Sequence, residues 1–169
     1  MPATIGQHPT TRDWLDDGDD CLANAISTCL QLQHDTSESW LQQIETAYYA
    51  LHPTWDNRAS TIYLPYFWRA LSDINIWAVA IHDRGDIVDQ IAAELALGNV
   101  PMVWIYLDDV ATGVTFHHAV CCIDYQVGVL FCWDPQVGVV RHIDLATFLS
   151  SDRSGRSSGH AYSVVLLPF

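Results

Sequence analysis

In the first third of the chain, apolar residues recur at steps of three and four. Across residues 19–32, DDCLANAISTCLQL, the positions Leu22, Ala25, Ile26, Cys29 and Leu30 share one helical face. Asp19 or Asp20 stands where a side-chain oxygen caps the first free N–H groups of such a helix. Trp40, Ile44, Ala47, Tyr48 and Leu51 predict a second helix over 37–51, SESWLQQIETAYYAL. Pro65 suits a first helical turn, and Phe67, Trp68 and Leu71 after it predict a third, shorter helix.

The pattern then changes. Residues 74–81, INIWAVAI, read as a strand, 86–98 as a helix stopped by Gly98, and 100–107, VPMVWIYL, as a second strand rich in β-branched and aromatic residues. After a loop over 107–115 come three apolar runs, 116–125 (FHHAVCCIDY), 127–134 (VGVLFCWD) and 137–143 (VGVVRHI), separated by short turns at Gly128 and at Pro135-Gln136. Short turns imply an antiparallel meander. A brief helix capped by Asp144 is predicted over 144–150, then a loop of Ser, Gly and Arg over 150–159, then a returning strand in AYSVVLLP, 161–168. No internal repeat is visible. The expected fold class is α+β, helices first and antiparallel sheet second, in one domain over residues 1–169.

Composition narrows the function. Half of the residues are hydrophobic and 16% are charged, so the chain has the material for a packed core. The formal net charge of −13, from 20 Asp plus Glu against 7 basic residues, repels phosphate backbones, and no nucleic-acid partner is expected. All seven basic residues are Arg, and nothing in the sequence explains the missing lysine. The apolar runs fall well short of the ~20 residues that cross a bilayer, and the N-terminus lacks the basic and apolar regions of a secretory signal. The expectation is a cytoplasmic protein with no membrane contact. Cys21, Cys29, Cys121, Cys122 and Cys132 are an odd number in no regular framework and read as reduced thiols.

Three residues stand where thiol chemistry needs them: Cys21 at a helix start, His118 in one strand and Asp134 at the end of the next. A helix N-terminus favours thiolate over thiol, a nearby imidazole completes a thiolate–imidazolium pair, and a carboxylate on the neighbouring strand holds the second ring nitrogen. The competing reading makes Cys21 a small buried hydrophobe and Asp134-Pro135 a structural turn. The seven tryptophans, Trp14, Trp40, Trp55, Trp68, Trp77, Trp104 and Trp133, suit a core or a groove wall equally well.

In order along the chain, DDCLANAIS, HHAVCCIDY, VLFCWDPQVG and the closing FLSSD and AYSVVLLP resemble the papain-like cysteine peptidases. The branch they most resemble processes the double-glycine leaders of bacteriocins, with its stand-alone bacterial relatives. That branch has Asp-Cys-small-x-Ala at a helix start, His-x-Val-Val on a strand followed by Tyr, an Asn-Asp-Pro or similar on the next strand, and a closing strand ending in proline. The resemblance implies a papain-like fold with Cys21 as nucleophile, His118 as general base and Asp134 as orienting carboxylate. His117 is the alternative base only if the strand register is off by one. It further implies hydrolysis of a peptide or amide bond through an acyl-enzyme; no cofactor is expected. An acyltransferase with the same triad is the nearest alternative.

One position departs from the family pattern. Leu15 stands six residues before Cys21, where the family has a Gln that helps bind the oxyanion. Losing such a donor typically costs ~10²–10³ in rate, so Leu15 favours a third reading, a catalytically silent domain that only binds a peptide or protein. Gln7 and Asn24 are the nearest amides. The run Asp13, Asp16, Asp17, Asp19 and Asp20 is either a solvated loop or a surface that draws in a basic peptide or protein substrate. Zinc is the chemical rival, because His117, His118, Cys121, Cys122, Cys132 and His142 are all ligand types. Strand alternation separates 118 and 122 from 117 and 121, so a closed site would need both Cys132 and His142 to join.

Overall fold

The structure is a computed structural model that describes residues 21–54, 63–81, 87–109, 114–144 and 161–166. In chain order the elements are α1 (Cys21–His34), α2 (Leu41–Leu51), α3 (Leu64–Asp73), β1 (Val79–Ile81), α4 (Ile87–Ala96), β2 (Met102–Asp109), β3 (Val114–Gln126), β4 (Val129–Asp134), β5 (Val139–Asp144) and β6 (Ala161–Leu166). The strands form one six-stranded sheet in the order β1-β6-β2-β3-β4-β5, and every neighbouring pair is antiparallel. This is an α+β architecture. The meander β3-β4-β5 follows from its short turns: Gln126 pairs with Val129 across Val127-Gly128, where Gly128 takes φ +79°. β6 lies between β1 and β2, so those two strands are parallel and have a third strand inserted between them.

Alternation along the central strands divides the core in two. Met102, Ala119, Cys121 and Trp133 point to one side and pack with α1, α2 and α3, while Val103, Val120, Cys122, Leu130, Cys132 and Ile143 point to the other and pack with Ile91 and Leu95 of α4. α1 is buried at every position from Leu22 to Leu32, the signature of a helix enclosed on all sides. Its polar residues are therefore put to internal use. Ser27 Oγ accepts the Trp40 N–H at 3.0 Å and Gln31 Nε2 donates to the Ser37 carbonyl at 3.2 Å, which pins the connection into α2. Among the tryptophans, Trp133 is buried whereas Trp77 is 68% exposed.

Several element boundaries differ from those expected. α2 starts at Leu41 rather than near 37, because Thr36 Oγ1 and Ser39 Oγ accept the N–H groups of Glu38 and Leu41 and hold local turns. The strand expected from residue 74 begins only at Val79. Residues 74–76 instead close α3: Ile76 N–H bonds to the Leu71 carbonyl and Asn75 N–H to that of Ser72, with Asn75 at φ +61°. Those paired bonds around a left-handed residue are a Schellman cap. The same arrangement ends α1 at Asp35 and α4 at Gly98. The loop expected over 107–115 is shortened from both ends, since β2 runs to Asp109 and β3 begins at Val114. Asp144 closes β5, and the helix and loop expected after it, like residues 1–20 with Leu15, Gln7 and the acidic run, lie outside the described residues.

Candidate active site

β3 and β4 form a hairpin whose open end carries His118 and Asp134. Cys121 pairs with Trp133, so Val120 stands level with Asp134 and His118 lies one diagonal step away on the same face. The two side chains meet there: His118 Nε2 is 2.8 Å from Asp134 Oδ2. Both are removed from water, His118 at 3% and Asp134 at 0% exposure.

The carboxylate has two further partners. Its Oδ1 accepts the Gln136 N–H at 3.1 Å, and Gly138 N–H reaches the Asp134 carbonyl at 2.8 Å, so Asp134 also organises the turn 135–138. The structural turn and the imidazole partner, weighed as alternatives in the sequence, are the same residue. Arg141 Nε lies 2.7 Å from Oδ2. Burial alone raises the Asp134 pKa, but the hydrogen bonds and charges of His118 and Arg141 outweigh it and hold the carboxyl below its ordinary value.

Arg141 had no place in the sequence reading. It pairs with Cys132 across β4 and β5, two residues from the Asp134 position, and diagonal neighbours on one face are within reach of a long side chain. The signal was a lone cation in the apolar run VGVVRHI, on the parity of Asp134 once the turn takes four residues.

Cys21 opens α1 as described and is half-buried against the core cluster that holds Ala119, Cys121 and Trp133. Two anchors set the direction of α1 along the sheet. The Cys121 thiol donates to the Ala25 carbonyl at 3.3 Å, and Gln33 Oε1, two turns further on, accepts the Val100 N–H at 2.9 Å. Val100 precedes Met102, which pairs with Cys121, so the C-terminal half of α1 lies toward Ile123 and its N-terminal turn toward Ala119 and His118. The helix end bearing Cys21 thus points to the end of β3 that bears His118. His118 leaves β3 on the face of Val120 and Cys122, whereas Cys21 arrives from the opposite layer. The side chain of His117 lies outside the described residues, and Asn24 is buried within α1.

The other thiols are interior. Cys121 is raised well above the ordinary thiol pKa by burial first and by Cys29 next, and Cys132 by burial and by Cys122, its cross-strand partner. The two residues a zinc site would have required diverge. Cys132 points inward beside Cys122, whereas His142 pairs with Phe131 on the opposite face and packs tilted against its ring, centroids 4.7 Å apart. Among the described residues no group of three or more His, Cys, Asp or Glu is arranged to hold a metal ion, and no helix is long and apolar enough to cross a membrane.

Comparison with known proteins gives little beyond this geometry. No family model matches the chain, and no curated protein matches it. Among solved structures, a Bacillus anthracis protein described as a C39-like peptidase is similar, with 11% identity, 89% of this chain and 90% of that chain covered, and a TM-score of 0.49. At that level the likeness assigns no residue a role.

Proposed function

We propose that this protein is a cysteine peptidase-type hydrolase with a papain-like arrangement, in which Cys21, His118 and Asp134 act together. The observation that carries the reading is the buried 2.8 Å contact between His118 and Asp134 at the end of the sheet toward which the Cys21 end of α1 runs. An imidazole held through Nε2 by a buried carboxylate has Nδ1 as the nitrogen for proton transfer with a nucleophile.

The Cys21 thiolate attacks the carbonyl carbon of a peptide or amide, and His118 delivers its Nδ1 proton to the departing amine. The resulting thioester is hydrolysed by water, which gives a proton back to His118 and releases the acid. Dipoles at the start of α1 favour the thiolate and, in the transition state, the oxyanion. A basic peptide is the proposed substrate class, on the strength of the five aspartates between residues 13 and 20.

Incubation with iodoacetamide at neutral pH followed by peptide mapping tests the nucleophile, and a peptide library incubated with the parent and with Cys21→Ser tests the reaction. Stoichiometric labelling of Cys21 and cleavage lost in Cys21→Ser are expected. A transferred acyl group on an added amine would identify the acyltransferase instead. Binding without turnover would identify the silent domain.

A further inference from the structure

We propose that Arg141 is a positioning residue that fixes the tautomer of His118 by fixing what Asp134 can do, a role that rests on the triad reading above. Three donors converge on the one buried carboxylate: Arg141 Nε and His118 Nε2 on Oδ2, and the Gln136 N–H on Oδ1. Two of them have no choice of role. A guanidinium is always charged and carries no acceptor, and a backbone N–H only donates. Each carboxylate oxygen therefore already accepts from a donor that cannot reverse its role, and the guanidinium charge beside Oδ2 favours the ionised carboxylate over a protonated one.

The remaining contact is then determined. If Asp134 has no proton to give, the hydrogen between it and His118 belongs to the ring, on Nε2. The neutral imidazole consequently keeps its lone pair on Nδ1, the nitrogen that the proposed reaction uses. Without Arg141, Oδ2 could carry the proton and donate it to Nε2. The ring hydrogen would move to Nδ1 and His118 would present a donor where a base is needed. In serine-protease triads, an orienting residue that imposes the wrong tautomer lowers turnover by ~10⁴ while leaving the geometry in place.

The geometry of Arg141 suits this work. Its side chain is 29% exposed while Asp134 is fully buried, so the cation is brought to the carboxylate from β5 without itself being wholly desolvated. A lysine at the same place offers a point charge rather than a planar fork, yet it too can only donate. Charge and donor character, rather than shape, are what the tautomer requires.

The test uses the full chain with ¹⁵N-labelled histidine, comparing parent, Arg141→Gln, Arg141→Lys and His118→Gln. Two-bond proton–nitrogen spectra read the tautomer of His118, and iodoacetamide labelling at pH 7 reads the rate at Cys21. With the spectra recorded at a pH where the ring is neutral, the expected result is an Nε2–H ring in the parent and in Arg141→Lys and a growing Nδ1–H fraction in Arg141→Gln, with Cys21 labelling at pH 7 at least about tenfold slower in Arg141→Gln and recovered in Arg141→Lys. Arg141→Met, which keeps the aliphatic stem, replaces Arg141→Gln should that variant not fold. A lower thermal midpoint with unchanged tautomer and labelling rate would make Arg141 merely structural and overturn the proposal. If His118→Gln leaves Cys21 labelling unchanged, the triad reading fails, and the ring spectra alone then decide whether Arg141 sets the tautomer.

Discussion

The thiol of Cys121 donates to the Ala25 carbonyl across 3.3 Å, tying β3 to α1 one helical turn from Cys21. That contact sets how closely the helix end approaches the sheet, so filling it should cost more than emptying it. Cys121→Ala should destabilise the protein by about 1 kcal/mol, through lost packing and one weak hydrogen bond. Cys121→Leu should cost about 2 kcal/mol by overpacking, and should also slow Cys21 labelling as the helix is pushed away. Urea unfolding monitored by far-ultraviolet circular dichroism, with labelling under native conditions, checks both.

Among the five thiols, Cys21 should react first. It is half-buried at a helix end, whereas Cys29, Cys121, Cys122 and Cys132 are buried and the thiols of Cys121 and Cys132 are driven toward the neutral form. Peptide mapping after brief alkylation at pH 7 reads the order directly. Faster modification at any of the four interior cysteines would contradict the assignment.

Asp134 should give the folded state an acid-sensitive stability. Its carboxyl is held below the ordinary value in the folded protein, so its contribution is fully present above the unfolded-state pKa of ~3.9 and is lost as pH falls below that through the folded value. Asp134→Asn should lose about 2 kcal/mol at pH 7, leaving Arg141 and the turn 135–138 without their carboxylate. The variant should show a shallower decline of thermal midpoint between about pH 4 and pH 2 than the parent. Equal slopes for the two proteins would show that other carboxylates dominate.

Asn75 sits at φ +61° in the cap of α3. A side chain without a local hydrogen-bonding amide tolerates that conformation poorly, and glycine tolerates it freely. Asn75→Ala should therefore lower stability by about 1 kcal/mol, and Asn75→Gly should match or slightly exceed the parent, as read by thermal unfolding.

The acidic run offers a prediction from charge alone. Replacing Asp16 and Asp17 with Asn should flatten the salt dependence of basic-peptide cleavage, because the attraction is screened over ~8 Å at physiological ionic strength. The thermal midpoint is the control for folding, because substitutions of solvated residues usually stay within ~0.5 kcal/mol. Cleavage of basic peptides at low salt that is equal in parent and double mutant would reduce the run to a solvated loop.

What could be read from the sequence was what depends on local period. The spacing of Leu22, Ile26, Cys29 and Leu30 gave α1, and a hairpin closed by a short turn put an imidazole and a carboxylate near its open end. That they share a face depends on the bulge between Cys122 and Asp124, which shifts the register by one residue and has no local signal. Ser27 and Gln31 were missed because a polar stripe on a helix ordinarily means solvent, whereas here it binds the backbone of the chain leading into α2. Asn75 was read inside a strand because apolar residues flanking a cap alternate just as a strand does. Arg141 was missed for a different reason: its partner depends on the length of the turn after Asp134, which fixes the diagonal across β4 and β5. The position of β6 within the sheet depends on pairing between residues far apart in sequence, which no local pattern records.

That position has a consequence for how the molecule is made. Among the described residues, Val79, Ala80 and Ile81 find their sheet partners in Leu166, Val165 and Val164, some eighty residues later. While the chain emerges from a ribosome, β2 to β5 can pair as they appear, but one edge of β2 stays open and β1 stays unattached until residues 161–166 arrive. Unpaired edges of this kind invite the strands of other molecules. Nascent chains arrested before residue 161 should therefore be the species that a chaperone has to shield, and completion of the sheet should be the step that releases them.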